Sequence, residues 1–190
     1  MSDVVLETER LCLRNWRESD IEPFMEHLNT PKVMRWLGGV QTREKFLAAV
    51  ERIKGYNQDF GHTFWIVERK SDGALLGFCG LKRVNAPQPK LTGAFEIGWR
   101  LREDVWGYGY AREAATAALD AAFTRHKAPF VVALTVAGNE SSWGLMKRLG
   151  MTHRPELDFH DPNYDNDLNP TIVYRIEAKD WLAAKEKAET

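Results

Sequence analysis

Three short stretches of this 190-residue sequence carry residue types suited to chemistry. The first is DVWGYGYAREAATAALDAAF, residues 104–123, where Gly107 and Gly109 stand just before a long alanine-rich run. Glycine lets a backbone come close to a ligand, and a helix start exposes unpaired N–H groups, so this spacing points to a bound anion such as a phosphate. By itself the double glycine also fits a plain tight turn. The second stretch, NESSWGLMKRLG (139–150), puts Asn139 and Ser142 on the first turn of another helix, where Asn is a favoured cap. The third is FEIGWRL (95–101), a strand interrupted by Gly98, a residue that marks a bulge, a close backbone approach or a packing gap beside a bulky neighbour. Strand alternation sets Glu96 on the face opposite Phe95 and Ile97.

Several chemistries are excluded. A dinucleotide fingerprint needs G-x-G-x-x-G in an opening βαβ unit, whereas Arg112 stands where the third glycine belongs and the stretch lies beyond mid-chain. There is no G-x-x-x-x-G-K-[ST] phosphate loop. DPNYDNDLN places acidic and amide residues at alternate positions as a calcium loop would. It has Asn166 for the central glycine and Ile172 for the closing glutamate, so no metal is expected. Lys and Arg number 26 against 27 Asp and Glu, a net charge of −1 that gives no field for nucleic acid or an anionic membrane. Cys12 and Cys79 are read as two reduced thiols. MSDVVLETER lacks the basic and apolar regions of a signal peptide, and no apolar run approaches the ~20 residues of a membrane span, so a cytoplasmic protein is expected.

The elements that must position these residues alternate along the chain. LETERLCLRNW reads as a first strand. Ser19 is expected to cap a helix carrying Ile21, Phe24, Met25 and Leu28, and Pro31 to open a short helix ending at Gly38–Gly39. Thr42 caps a third helix with Phe46, Leu47, Val50 and Ile53 on one side. HTFWIVERK and ALLGFCGLKRV form a hairpin across SDG. After the glycines, Ala115, Ala118, Leu119, Ala122 and Phe123 form one stripe, with Arg112, Thr116, Asp120 and Thr124 opposite. PFVVALTV and TIVYRIE are strands, and a last helix runs from about Asp180 to the end at 190. The reading is a single domain over 1–190, a mixed, mostly antiparallel sheet flanked by helices, with 180–190 as an extra terminal helix.

WGYGYA and NESSWGLMKRLGM together resemble the GNAT superfamily of acyl-CoA-dependent N-acetyltransferases. Residues Trp106 to Ala111 match its R/Q-x-x-G-x-G/A pyrophosphate loop, and Asn139 to Met151 match its N-x-x-S…G-F/M segment. LETERLCLR and FEIGWRL are similar to the branch containing ribosomal-protein N-terminal acetyltransferases. The resemblance spans roughly residues 6–176 and departs in one place, with Trp106 at the position of the Arg or Gln.

The resemblance implies acetyl-CoA as co-substrate, held at its diphosphate by Trp106, Gly107, Tyr108, Gly109, Tyr110 and Ala111. It implies a splayed strand whose main chain at Ile97, Gly98, Trp99 and Leu101 binds the pantetheine arm and the acetyl oxygen. Glu96 is the implied general base toward an amine acceptor. Asn139 is expected to bond the pantetheine amide as well as cap its helix, and Ser142 to donate to the sulfur, since Met146 stands where many relatives carry a tyrosine. The N-terminal helices and the 153–170 loop would wall the acceptor site. The acceptor stays open between a peptide N-terminus and a small-molecule amine, and a homodimer is left open. The competing reading is a catalytically idle CoA-binding module for regulation or assembly. Glu156, Asp158, Asp161, Asp165 and Asp167, with only His160 as a possible cation, form either a negative rim attracting a cationic amine or a plain solvated loop.

Overall fold

In the computed structural model, which describes residues 3–188, the expected first strand is a hairpin. β1 (Val4–Glu7) turns at Thr8–Arg10 into β2 (Leu11–Arg14), and the two pair antiparallel with Glu7 opposite Cys12. The turn is closed by Thr8 N–H to Leu11 O (2.9 Å) and Leu11 N–H to Thr8 Oγ1 (3.0 Å). Apolar alternation reads the same on both sides of so tight a turn, which is why the sequence looked like one strand.

α1 (Ile21–Leu28) follows a 3-10 turn at Glu18–Asp20. The expected Ser19 cap is not formed. Asp20 stands at the N-cap position of α1 but makes no cap bond to it; its carboxylate closes the preceding 3-10 turn, accepting the Arg17 N–H at 2.7 Å while its two oxygens receive Arg14 Nη1 and Nη2, each at 2.8 Å. Residues 31–38 are consecutive turns, not the expected short helix. α2 (Arg43–Phe60) starts on Thr42, whose hydroxyl accepts the Lys45 N–H, and ends at Gly61 with φ +69°, the left-handed geometry a helix terminus favours. Phe46 and Val50 are buried as expected, but Leu47 is 38% exposed.

β3 (Phe64–Arg69) and β4 (Leu75–Arg83) form the expected hairpin across Asp72–Gly73. β5 (Phe95–Leu101) leads through a 3-10 turn and the glycine loop into α3 (Tyr110–Thr124). The five stripe residues of α3 are all buried, joined by Ala114 and Ala121. Then come β6 (Phe130–Val136), α4 (Glu140–Arg148), the two-residue β7 (Thr152–His153), β8 (Thr171–Glu177) and α5 (Ala178–Ala188). The last two residues of the expected terminal helix, Glu189 and Thr190, lie outside the described residues.

The eight strands follow the order β1-β2-β3-β4-β5-β6-β8-β7. The described ladders are antiparallel except β5–β6, which is parallel, so the expected mixed, mostly antiparallel sheet is present. The chain divides into two compact units, Met1–Lys82 with Gly98–Ala118, and Arg83–Ile97 with Leu119–Thr190. In the first, Phe24 stacks on Phe46 and Phe78 within a core that also holds Ile21, Leu28, Val50 and Ile66. The core of the second gathers Val84, Leu91, Val132, Leu157 and Val173. α5 docks there through Asp120, which receives Trp181 Nε1 at 2.7 Å and Lys185 Nζ at 2.8 Å. Among the described residues no helix is long and apolar enough to cross a membrane.

Candidate active site

The glycine loop lies in the first unit. Gly107 and Gly109 have φ of +84° and +82°, a region that L side chains enter at a cost, so both positions require glycine for the path the chain takes. Among the described residues the backbone N–H groups of 107–112 donate to no protein acceptor, whereas the Glu113 N–H bonds Gly109 O at 3.0 Å. A run of free N–H groups at the start of a 15-residue helix, with the positive end of its dipole behind them, is what a diphosphate needs.

Trp106, at the position of the Arg or Gln, does not offer a charge. Its Nε1–H bonds Leu101 O at 2.8 Å and ties the loop to the end of β5, while the ring stays 45% exposed under Lys32 Nζ, 5.5 Å from its centroid. Tyr108 is 66% exposed, and Tyr110 lies beneath the Arg10 guanidinium at 4.4 Å. A cavity of about 330 Å³ beside the loop is bordered by Arg69, Arg102, Tyr108 and Tyr110. Both arginines are held bidentately by carboxylates, Arg69 by Asp72 and Arg102 by Asp104, so their charge is already compensated.

Sequence reasoning missed how the loop is held. Glu113, in the first turn of α3, accepts Thr8 Oγ1 at 2.6 Å, the Arg10 N–H at 2.8 Å and Arg10 Nε at 2.7 Å. Arg10 Nη1 continues to Tyr108 O at 3.0 Å. Burial works to raise the Glu113 carboxyl, but the Thr8 hydroxyl, the Arg10 N–H and the Arg10 guanidinium together bring it below its usual value. The signal was present in the T-x-R of the β1–β2 turn, yet nothing local ties it to a glutamate 103 positions later in the chain.

Gly98 has a bulky neighbour. A Cβ there would lie 2.9 Å from Phe64 Cζ, and Phe64 stacks on Phe78 with centroids 4.9 Å apart. The packing reading of this glycine therefore has a named cause. Trp99 is half-buried and Leu101 buried.

The remaining expected residues lie in the second unit. Glu96 is 8% exposed and pairs with Val132 in the parallel ladder, so it is not the solvated strand residue that glutamates usually are. Ile97 is buried beside it. Asn139 occupies the N-cap position of α4 but its side chain makes no cap bond, against expectation. Its Oδ1 accepts Ser141 Oγ at 3.2 Å instead. Ser142 is half-buried on the first turn, and its hydroxyl makes no hydrogen bond among the described residues. Met146 is buried in the core, so no phenol stands in for the serine.

The acidic segment differs from the expected rim. Asp158 is held by His153 Nε2 at 2.9 Å and by the Val173 N–H at 2.9 Å, Glu156 by Arg154 at 2.6 Å, and Asp161 turns its Oδ1 to the Asn163 N–H. Two residues just upstream, His153 and Arg154, engage carboxylates that the segment's own composition left unpaired.

The sequence profile of the acetyltransferase (GNAT) domain matches residues 10–152, which spans both the loop and the Asn139 helix. The chain belongs to the GNAT acetyltransferases. The uncharacterized protein YkkB of Bacillus subtilis is 32% identical to it, over 77% of this chain and 84% of its own. The crystal structure of an Agrobacterium tumefaciens acetyltransferase superposes with a TM-score of 0.76 at 26% identity, covering 93% of this chain and 96% of that one. A spermidine N-acetyltransferase from Vibrio cholerae, solved in complex with CoA and spermine, shares the fold with a TM-score of 0.71 at 17% identity, over 92% of this chain and 99% of its own.

Proposed function

We propose that this acetyltransferase carries acetyl groups from acetyl-CoA directly to a primary amine, in one catalytic domain working in the cytoplasm. The observation that carries the reading is the set of free N–H groups at 107–112 behind two positive-φ glycines, inside the matched region. The diphosphate binds this loop at Trp106, Gly107, Tyr108, Gly109, Tyr110 and Ala111. The main chain at Ile97, Gly98, Trp99 and Leu101 holds the pantetheine arm and the acetyl oxygen, and the Asn139 amide, free of capping duty, bonds the pantetheine.

Glu96 takes a proton from the attacking amine, directly or through one water. As the C–N bond forms, the C–S bond breaks and the Ser142 hydroxyl gives its proton to the departing sulfur; Ser142 is reprotonated from water as Glu96 releases the amine proton to water, so amine and acetyl-CoA become amide and free thiol. The T-x-R turn and FEIGWRL favour the branch of ribosomal-protein N-terminal acetyltransferases. The acceptor is then a peptide α-amine or a small amine, a class that includes the spermine seen with the Vibrio enzyme. The test is thiol release from acetyl-CoA across a panel of amines and peptide N-termini. Acceptor-dependent release supports the reading. Tight CoA binding with no release from any acceptor overturns it in favour of an idle CoA-binding module.

A further inference from the structure

Two positive-φ glycines, Gly107 and Gly109 on either side of Tyr108, make the loop into α3 intrinsically soft, since glycine loses more conformational freedom on ordering than any other residue. An anion site built from backbone N–H groups works only when each peptide plane is aimed beforehand. The N–H of a trans peptide points opposite to the carbonyl of the same plane. Arg10 Nη1 bonds the Tyr108 carbonyl, which sends the Gly109 N–H the other way. The Glu113 N–H bonds the Gly109 carbonyl, which does the same for the Tyr110 N–H. The first bond is made by the Arg10 side chain and the second by the main chain of Glu113, and the Glu113 carboxylate ties the two together by holding Arg10 and Thr8 of the β1–β2 turn against the start of α3.

We propose that Arg10, Glu113 and Thr8 are positioning residues for acetyl-CoA, holding the Gly109 and Tyr110 peptide planes so that their N–H groups face the diphosphate. This rests on the acetyl-CoA reading above. Arg10 has a second duty. A carboxylate in the first turn of α3 repels an incoming diphosphate, and the guanidinium lying 2.7 Å from Glu113 cancels that charge. With Trp106 at the head of the loop there is no cation there to spare, so this cancellation by Arg10, arriving from a different element, leaves the anion site neutral rather than negative. Arg10 Nη2 comes within 3.5 Å of where a Gly109 Cβ would sit, so it backs the loop directly.

The experiment compares wild type with Arg10→Ala, Arg10→Lys, Glu113→Ala and the Ala pair, using CoA calorimetry and turnover with acetyl-CoA or acetyl-pantetheine, the latter lacking the diphosphate. Losing a charge-assisted bond of this kind is expected to weaken CoA binding and raise KM for acetyl-CoA about ten- to a hundredfold, with kcat held within about twofold. Turnover with acetyl-pantetheine should stay unchanged, Arg10→Lys should recover part of the loss, and the double variant should be no worse than either single one. Equal losses with both donors, or wild-type CoA affinity in a folded Arg10→Ala, would overturn the positioning role. Wild-type protein that fails to bind CoA would overturn the acetyl-CoA reading itself, and this proposal with it.

Discussion

Replacing Gly98 by alanine tests the packing of β5 against β3. The new methyl would sit 2.9 Å from Phe64 Cζ and 3.1 Å from Cε1, well inside van der Waals contact. The ring cannot swing freely, because it lies parallel to Phe78 at an interplanar angle of 2° and against the core of the first unit. Overpacking of this kind costs about 1–3 kcal/mol. Phe64→Leu removes the atoms that clash, so Gly98→Ala should cost less in that background, with a coupling of about 0.5–3 kcal/mol between the two sites. Gly77→Ala is a harsher control, since its Cβ would meet the Arg100 carbonyl oxygen at 2.0 Å, main chain that has nowhere to go. Urea unfolding followed by tryptophan fluorescence gives the stabilities of the four members of this cycle and of the Gly77→Ala control. A Gly98→Ala protein as stable as wild type, or a strictly additive pair, would refute the argument. If the double variant also keeps full turnover, the main chain at 98 serves pantetheine without needing a bare Cα.

Three further outcomes follow from named contacts. Glu96→Gln should lower kcat and flatten the rise of rate with pH while leaving CoA affinity unchanged; a wild-type pH–rate profile would show that another group takes the proton. Arg14→Ala strands the Asp20 carboxylate, whose side chain is 5% exposed, and should cost about 3–5 kcal/mol in chemical denaturation. A loss under 1 kcal/mol would mean the pair adds nothing net. The depressed Glu113 carboxyl gives stability that is fully present above its ordinary value of 4.5 and fades as pH falls through its lower folded value. The melting-temperature gap between wild type and Glu113→Gln should therefore shrink below about pH 4.5, and a gap constant from pH 7 to 3 would contradict this.

Local pattern carried far where burial and periodicity agree. The α3 stripe, the β3–β4 hairpin and the Thr42 cap were all legible because each depends on residues within a few positions of one another. It failed where a distant partner decides. The β1–β2 turn is shaped by Glu113, the entry to α1 by Arg14 acting through Asp20, and the acidic segment by His153 and Arg154. The same holds at the site. Glycine spacing located the loop, but the residues that aim it come from the other end of the first unit's sequence. Gly98 looked like a mark of function, and only the Phe64 ring reveals its packing reason. Asn139 shows the converse, a favoured capping residue at the cap position whose side chain is left for other work.

The most direct test of the central claim is calorimetric titration of CoA into wild type and into Gly109→Val, with circular dichroism to confirm that the variant folds. Valine is a poor fit at φ +82° and would crowd Arg10 Nη2, so it should bend the loop away from the geometry that presents N–H groups to a diphosphate. The account predicts saturable one-site binding by wild type and none by the folded variant. Unchanged affinity in a folded Gly109→Val protein would contradict it and remove the glycine loop from the acetyl-CoA site.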